Sequence, residues 1–465
     1  MERNDSWNEG KTEGTKDHLV KMKAFSPAAC WLWLAITSML FMGIYAFLVA
    51  LSRVPALNLL FTDQNFFKTA LVTHVVLSVV IWFLSFYLFV TYQTTSKFRT
   101  STIEYIPIIG AFVGAALIIA TPFTGPAYPI LNNYIPVLNR GIYFVGLSIF
   151  FCSVSFGILL RFGILWRQQK VIQGGSLIVS GSLFSAGVCL LVAILLFLIS
   201  YFRIETSLVG SGTIYFEMLF WDGGHVLQFV NTFAAMAVWT MLSHQAYSLT
   251  PISNHFAAPL LILITTAVMI TPLEGLLNTV EFADGRNFFL EHKQWMVSIG
   301  PIAIGIGLLR TCKSQTLDNI ASSGLWVSLA LFALGGVMAF TILGQDTRVP
   351  AHYHGAIGSV TLCFMTYAML ISIQNGWLSP KPKWKIVQIY LYGFGQGLFV
   401  AGLFVGGYAG LPRKTFGVEQ NLDTAIKYTS MGIMGIGGLL AVTGGVIFVV
   451  MMIRAFLNSR TSRLE

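Results

Sequence analysis

The stretch Ile178-Val-Ser-Gly-Ser-Leu-Phe-Ser-Ala-Gly-Val-Cys-Leu-Leu-Val-Ala-Ile-Leu-Leu-Phe-Leu-Ile-Ser-Tyr-Phe202 contains no charged residue. A helix rises about 1.5 Å per residue and a bilayer core is about 30 Å thick, so a run of this length spans a membrane and is far too long for a strand. Working outward from it, eleven similar runs follow one another, at 29–52, 67–92, 104–122, 142–165, 216–242, 257–278, 296–312, 325–345, 352–375, 386–408 and 430–456. Only 10% of the 465 residues are charged and 55% are hydrophobic, with a mean hydropathy of +0.73. Soluble domains carry about 25% charge, so the solvent for most of this chain is lipid. The expected fold class is all-α: a polytopic membrane protein forming a twelve-transmembrane-helix bundle.

The net charge of +9 does not imply a nucleic-acid partner, because the Lys and Arg residues are spread over short loops. The N-terminal tail, the even-to-odd loops and the C-terminal tail hold 18 of them, Arg161 and Arg167 included, against 10 on the other side. The positive-inside rule then places both termini in the cytoplasm, as for a protein of a bacterial inner membrane. The first residues are charged and lack an apolar signal-peptide core, so the first span is expected to start insertion itself. One domain is expected over 26–457, between cytoplasmic tails at 1–25 and 458–465. The five cysteines (30, 152, 189, 312 and 363) lie too far apart for a CxxC metal pair or covalent haem attachment. The many glycines of the last span are read as close helix packing.

Ionisable side chains inside a membrane are costly and point to function. Of eight histidines, His18, His244 and His255 fall in cytoplasmic segments. The other five, His74, His225, His292, His352 and His354, fall on four separate spans or their edges, all toward the outer side. A shared cofactor layer accounts for this; the alternative is a set of hydrogen-bonded core histidines. His352 and His354 stand two residues apart on a helix, so their imidazoles diverge by about 200° and cannot chelate one metal together. They would serve two sites flanking one helix. His354 facing His74 would clamp one haem from both sides, and His352 would hold a second haem with an open face.

Three stretches carry a resemblance: Trp221-Asp-Gly-Gly-His-Val-Leu-Gln-Phe229, Arg348-Val-Pro-Ala-His-Tyr-His-Gly355, and Tyr392-Gly-Phe-Gly-Gln396 through Gly407-Tyr-Ala-Gly-Leu-Pro-Arg-Lys414. In this order, on these spans, the chain resembles subunit I of the haem-copper oxidoreductases, the cytochrome c oxidases and nitric oxide reductases. The resemblance implies two haems and a non-haem metal, copper or iron. It implies His74 and His354 as axial ligands of a low-spin haem, and His352 as the proximal ligand of a high-spin haem. His225 would be a ligand of the facing metal, and Arg413 and Lys414 would lie beside haem propionates, although interfacial cations also serve as plain membrane anchors.

The sequence departs from that pattern twice. Where the family completes its metal site with two adjacent histidines, this chain offers His292-Lys293, with Glu274, Glu281, Asp284 and Glu291 nearby. A site of one or two imidazoles plus a carboxylate is harder than three imidazoles and tilts from copper toward iron. Four residues after His225, where oxygen reducers often carry a tyrosine, stands Phe229. The expected function is therefore a catalytic subunit reducing a diatomic gas, O2 or NO, with the missing tyrosine favouring NO. It would draw electrons from a cytochrome c or cupredoxin-type donor, through a small second subunit. Protons could reach the site by way of Asn231, Thr232, Thr240, Thr265, Thr266 and Thr271. Twelve helices alone would equally suit a secondary transporter, and a haem-binding member without turnover is a third reading.

Overall fold

The computed structural model describes residues 22–52, 64–96, 101–171, 177–204, 212–277, 282–310, 314–342, 344–415 and 417–461. Twelve long helices follow in chain order: α1 Pro27–Ser52, α2 Asn65–Thr94, α3 Tyr105–Ala120, α4 Gly141–Val171, α5 Leu177–Arg203, α6 Thr213–Tyr247, α7 Asn254–Leu277, α8 Phe282–Leu308, α9 Asn319–Ala339, α10 Arg348–Gln374, α11 Lys383–Tyr408 and α12 Ala425–Thr461. Among the described residues, eleven helices are long and apolar enough to cross a membrane. The expected eighth span falls on α8, whose described apolar part, Trp295–Leu308, is shorter. The last helix runs on to Thr461, beyond the expected boundary at 457.

Apolar side chains face outward as well as inward. Ile109, Phe202, Ile262 and Leu439 are each exposed by more than half on the outer surface of the bundle, as lipid-facing positions must be. Three helices stand apart from this pattern. The most apolar windows of α2, α6 and α10 are each 83% buried, against 28–50% in the other membrane-crossing helices. These are the helices on which His74, His225, His352 and His354 lie.

The bundle has two distinguishable ends. At one, the chain entering α1 meets the α10–α11 turn and the end of α12: Met22 N donates to Asn375 Oδ1 at 2.6 Å and Asn458 Nδ2 to the Trp377 carbonyl at 3.0 Å. At the other end a small antiparallel hairpin, β1 Pro129–Ile130 and β2 Val137–Leu138, interrupts the α3–α4 connection. We refer to these as the terminal end and the hairpin end. Arg161, counted by the sequence reading with the cytoplasmic-side cations although it falls inside the 142–165 run, is buried within α4. It pairs with Glu104, just before α3, at 2.7 Å and lies over the Tyr92 ring at 4.3 Å. A charge this far from water requires such a partner.

Candidate functional site

His74 sits in the hairpin-side half of α2, just before a single π-helical stretch, Leu77–Trp82. Such stretches leave carbonyls in need of a donor, and Ser38 Oγ donates to the Leu77 carbonyl at 2.7 Å. Nδ1 of His74 meets the Met42 carbonyl at 3.1 Å. A carbonyl can only accept, so this nitrogen carries the proton and Nε2 carries the lone pair. His352 follows the same rule across α9 and α10, its Nδ1 donating to the Gly335 carbonyl at 2.8 Å. Gly335 and Gly355 allow this close approach: a Cβ on Gly335 would meet Ala356 N at 2.5 Å.

The relative heights of His74 and His354 follow from the packing below them. Phe83 and Phe364, nine and ten residues further along their helices, meet edge-on at 5.9 Å, and Phe364 also stacks on Phe86 at 4.3 Å. Beyond them the Tyr367 hydroxyl donates to Gln93 Oε1 at 2.8 Å. The two helices therefore run in the same direction, and the two imidazoles stand at one level. His354 rests its ring against Phe399 of α11, centroids 4.7 Å apart. A fixed tautomer on His74 and a common level are what a porphyrin held between α2 and α10 requires, so these residues fit a haem. His352, two residues from His354, presents its imidazole toward α9 instead.

His225 is placed differently. Trp239 Nε1 donates to Ser328 Oγ at 2.9 Å, and Ser359 Oγ donates to the Ser328 carbonyl at 2.6 Å. Trp239 follows His225 by twice as many residues as Ser359 follows His352. His225 therefore stands about two turns, roughly 10 Å, nearer the hairpin end than His352. Its Nδ1 donates to the Trp221 carbonyl at 2.6 Å, so Nε2 must accept, and the donor it meets there is the hydroxyl of Tyr134 from the hairpin tip. Trp221 and Tyr134 enclose the imidazole, with ring centroids 4.5 and 4.0 Å away.

Tyr134 has φ +66°, a left-handed conformation that costs a bulky residue energy unless its surroundings hold it. The holder is a polar clamp around the preceding residue. Asn133 N and Nδ2 donate to the two carboxylate oxygens of Glu217 at 2.7 and 2.5 Å, and its Oδ1 accepts from Arg413 Nη2 at 2.8 Å and Lys414 Nζ at 3.3 Å. Lys414 Nζ also donates to the Leu131 carbonyl at 2.5 Å. Gly224 supplies the space: a Cβ there would lie 2.5 Å from the Tyr134 Cβ. Burial first, then the neighbouring Arg413 charge, brings the Lys414 ammonium down to about 8.

Arg413 and Lys414 reach this clamp because the segments flanking α10 and α11 are laced together. Thr347 N donates to the Leu411 carbonyl at 3.0 Å, and the Arg348–Asp346 pair, closed at 2.6 Å, packs against Gly407. The Arg348 hydrogen bonds hold the Asp346 carboxyl below its ordinary range. Both cations therefore meet the hairpin, a contact the sequence reading did not anticipate. Phe229 lines a narrow, mainly apolar cleft with Phe233, Met236, Ile264 and Val297. His292 lies on α8, but its side chain, like those of Lys293, Glu274, Asp284 and Glu291, is outside the described residues, as is Glu281 altogether. Among the described residues no group of three His, Cys, Asp or Glu side chains could hold a metal ion. The one described imidazole there, His225, has its Nε2 engaged by Tyr134.

No protein-family model matches the chain. An uncharacterised protein of Rickettsia prowazekii (strain Madrid E) is 28% identical, over 91% of this chain and 94% of that protein. An uncharacterised protein of Aquifex aeolicus (strain VF5) is 29% identical, over 76% of this chain and 87% of its own length. Among solved structures, one described as a heme-copper terminal oxidase dimer superposes with a TM-score of 0.70 at 17% identity, covering 94% of this chain and 84% of that one. The chain shares that fold.

Proposed function

We propose that the chain is the haem-carrying subunit of a membrane respiratory oxidoreductase that reduces a diatomic gas, O2 or NO, with Phe229 in place of a tyrosine favouring NO. The observation that carries this reading is the common level of His74 and His354 on the two buried helices α2 and α10, with His352 on the opposite face of α10. The shared fold with a heme-copper terminal oxidase supports it. Two haems, bound through these three imidazoles, would supply electron transfer and an open iron site for the gas.

The chain's own residues orient the ligands. The Met42 and Gly335 carbonyls hold the Nδ1 protons of His74 and His352, so that Nε2 would be the nitrogen each offers to a haem, while Phe399 limits rotation of the His354 ring. Arg413 and Lys414 set positive charge at the hairpin end, where propionates and an anionic donor surface would meet it. The donor in this reading is a cytochrome c or cupredoxin-type protein on the hairpin side, delivering electrons through a small second subunit. Both termini would then be cytoplasmic.

A reduced-minus-oxidised spectrum of the purified protein tests the reading. Two haem signals are expected, one of them shifting with carbon monoxide; no haem band at all would overturn it. Turnover assays with NO and with O2 under the same electron supply then choose between the gases. The engagement of His225 by Tyr134 favours a second reading, a haem-binding protein without turnover, which predicts both haem signals but no consumption of either gas.

A further inference from the structure

The hairpin and α6 together raise the question of what the imidazole of His225 engages. In a haem-copper enzyme the helix-6 histidine would give its lone pair to a metal. Here that lone pair is committed: the Trp221 carbonyl fixes the proton on Nδ1, and the Tyr134 hydroxyl donates to Nε2. A metal would have to displace the phenol from Nε2.

The placement of Tyr134 is built rather than incidental. Its backbone is left-handed, its ring lies in the space that Gly224 leaves, and Asn133 beside it is held by Glu217 from α6 and by Arg413 and Lys414 from beyond α11. Three segments distant in sequence converge to press one phenol onto one imidazole. The geometry points to a phenol–imidazole pair, Tyr134 with His225, that takes up the lone pair a second metal would need, so that this chain carries haem iron and neither copper nor non-haem iron at His225. The inference deepens the function proposed above and rests on it for the haem alone.

The test uses the intact protein purified from copper-supplemented cells. Copper, total iron and haem are measured per chain, alongside His225→Ala and Tyr134→Phe. Iron equal to haem, copper well below one per chain, and the same metal content in both variants are expected. Copper or surplus iron near one per chain that is lost in His225→Ala overturns the inference. A double-mutant cycle on melting temperature tests the pair itself: Tyr134→Phe and His225→Ala should each lower it, and the double variant little further. Fully additive losses would also overturn the inference. Absence of haem would sink the proposed function while the cycle still decides the pair.

Discussion

The carbonyl of Gly335 accepts the Nδ1 proton of His352 across the α9–α10 contact at 2.8 Å. The bond exists because the two backbones touch, and they touch because neither Gly335 nor Gly355 has a side chain. Gly335→Ala should therefore act on His352 without altering it. An added methyl would push α9 from α10 and carry the carbonyl away from the ring. The expected result is a lower melting temperature together with a changed spectrum of the carbon monoxide-binding haem. Leu331→Val, one turn away in the core of the same helix, should lower stability with no change in that spectrum.

His74 and His352 should separate two spectral species. Under the proposed function His74→Ala would remove a ligand of a haem held between α2 and α10, and should abolish the low-spin band while carbon monoxide binding survives. His352→Ala should do the reverse. The exchanged pattern, read from paired difference spectra, would contradict the assignment.

Glu104 and Arg161 form an ion pair whose side chains are only 7% and 1% exposed. Removing one partner leaves a buried charge unpaired, a cost of about 3–5 kcal/mol, whereas replacing both with apolar side chains is far milder. Arg161→Met and Glu104→Met should each sharply reduce the yield of folded protein, and the double variant should recover much of it. Size-exclusion profiles of the solubilised variants read the outcome, and a double variant worse than either single one would refute the coupling.

Lys414 makes a pH dependence. Its ordinary value is 10.5, and in the folded chain burial and Arg413 bring it to about 8. Between these values the unfolded chain holds more protons than the folded one, so stability rises with pH. On chain prepared without haem, the melting temperature of the wild type should gain on that of Lys414→Met from pH 8 to pH 10.5. Parallel curves would show that the lysine is not buried in this way.

Much of the fold was legible because lipid imposes a simple rule on sequence: apolar runs of spanning length separated by polar turns. The four histidines on α2, α6 and α10 could be assigned to buried helices for the same reason, since an imidazole in a span must be satisfied inside the protein. The partner of Arg161 was also within reach, because a charge inside the 142–165 run calls for an opposite one and Glu104 stood at the edge of the run before it. The role of Tyr134 was not. The α3–α4 connection has no periodicity, its tip meets His225 ninety-one residues away, and nothing in Asn132-Asn133-Tyr134 beyond a turn-forming composition marks the tyrosine. The glycine pair Gly223-Gly224 carried a hint, since the second leaves room for a ring, but a glycine does not say which ring fills it.

The π-helical stretch at Leu77–Trp82 makes α2 the one described helix that can lose a residue at a defined place without changing how its two halves face. It accommodates one residue more than a regular helix would over the same rise. Deleting a single residue there would restore an uninterrupted α-helix and leave His74 facing as it does relative to Phe83 and Phe86, which are anchored on α10, whereas a deletion in regular helix between two residues would turn one against the other by about 100°. A relative lacking that residue would carry the matching histidine eight residues before the matching phenylalanine rather than nine, so the length of this short segment is itself a marker to look for when the position of His74 is sought in another chain.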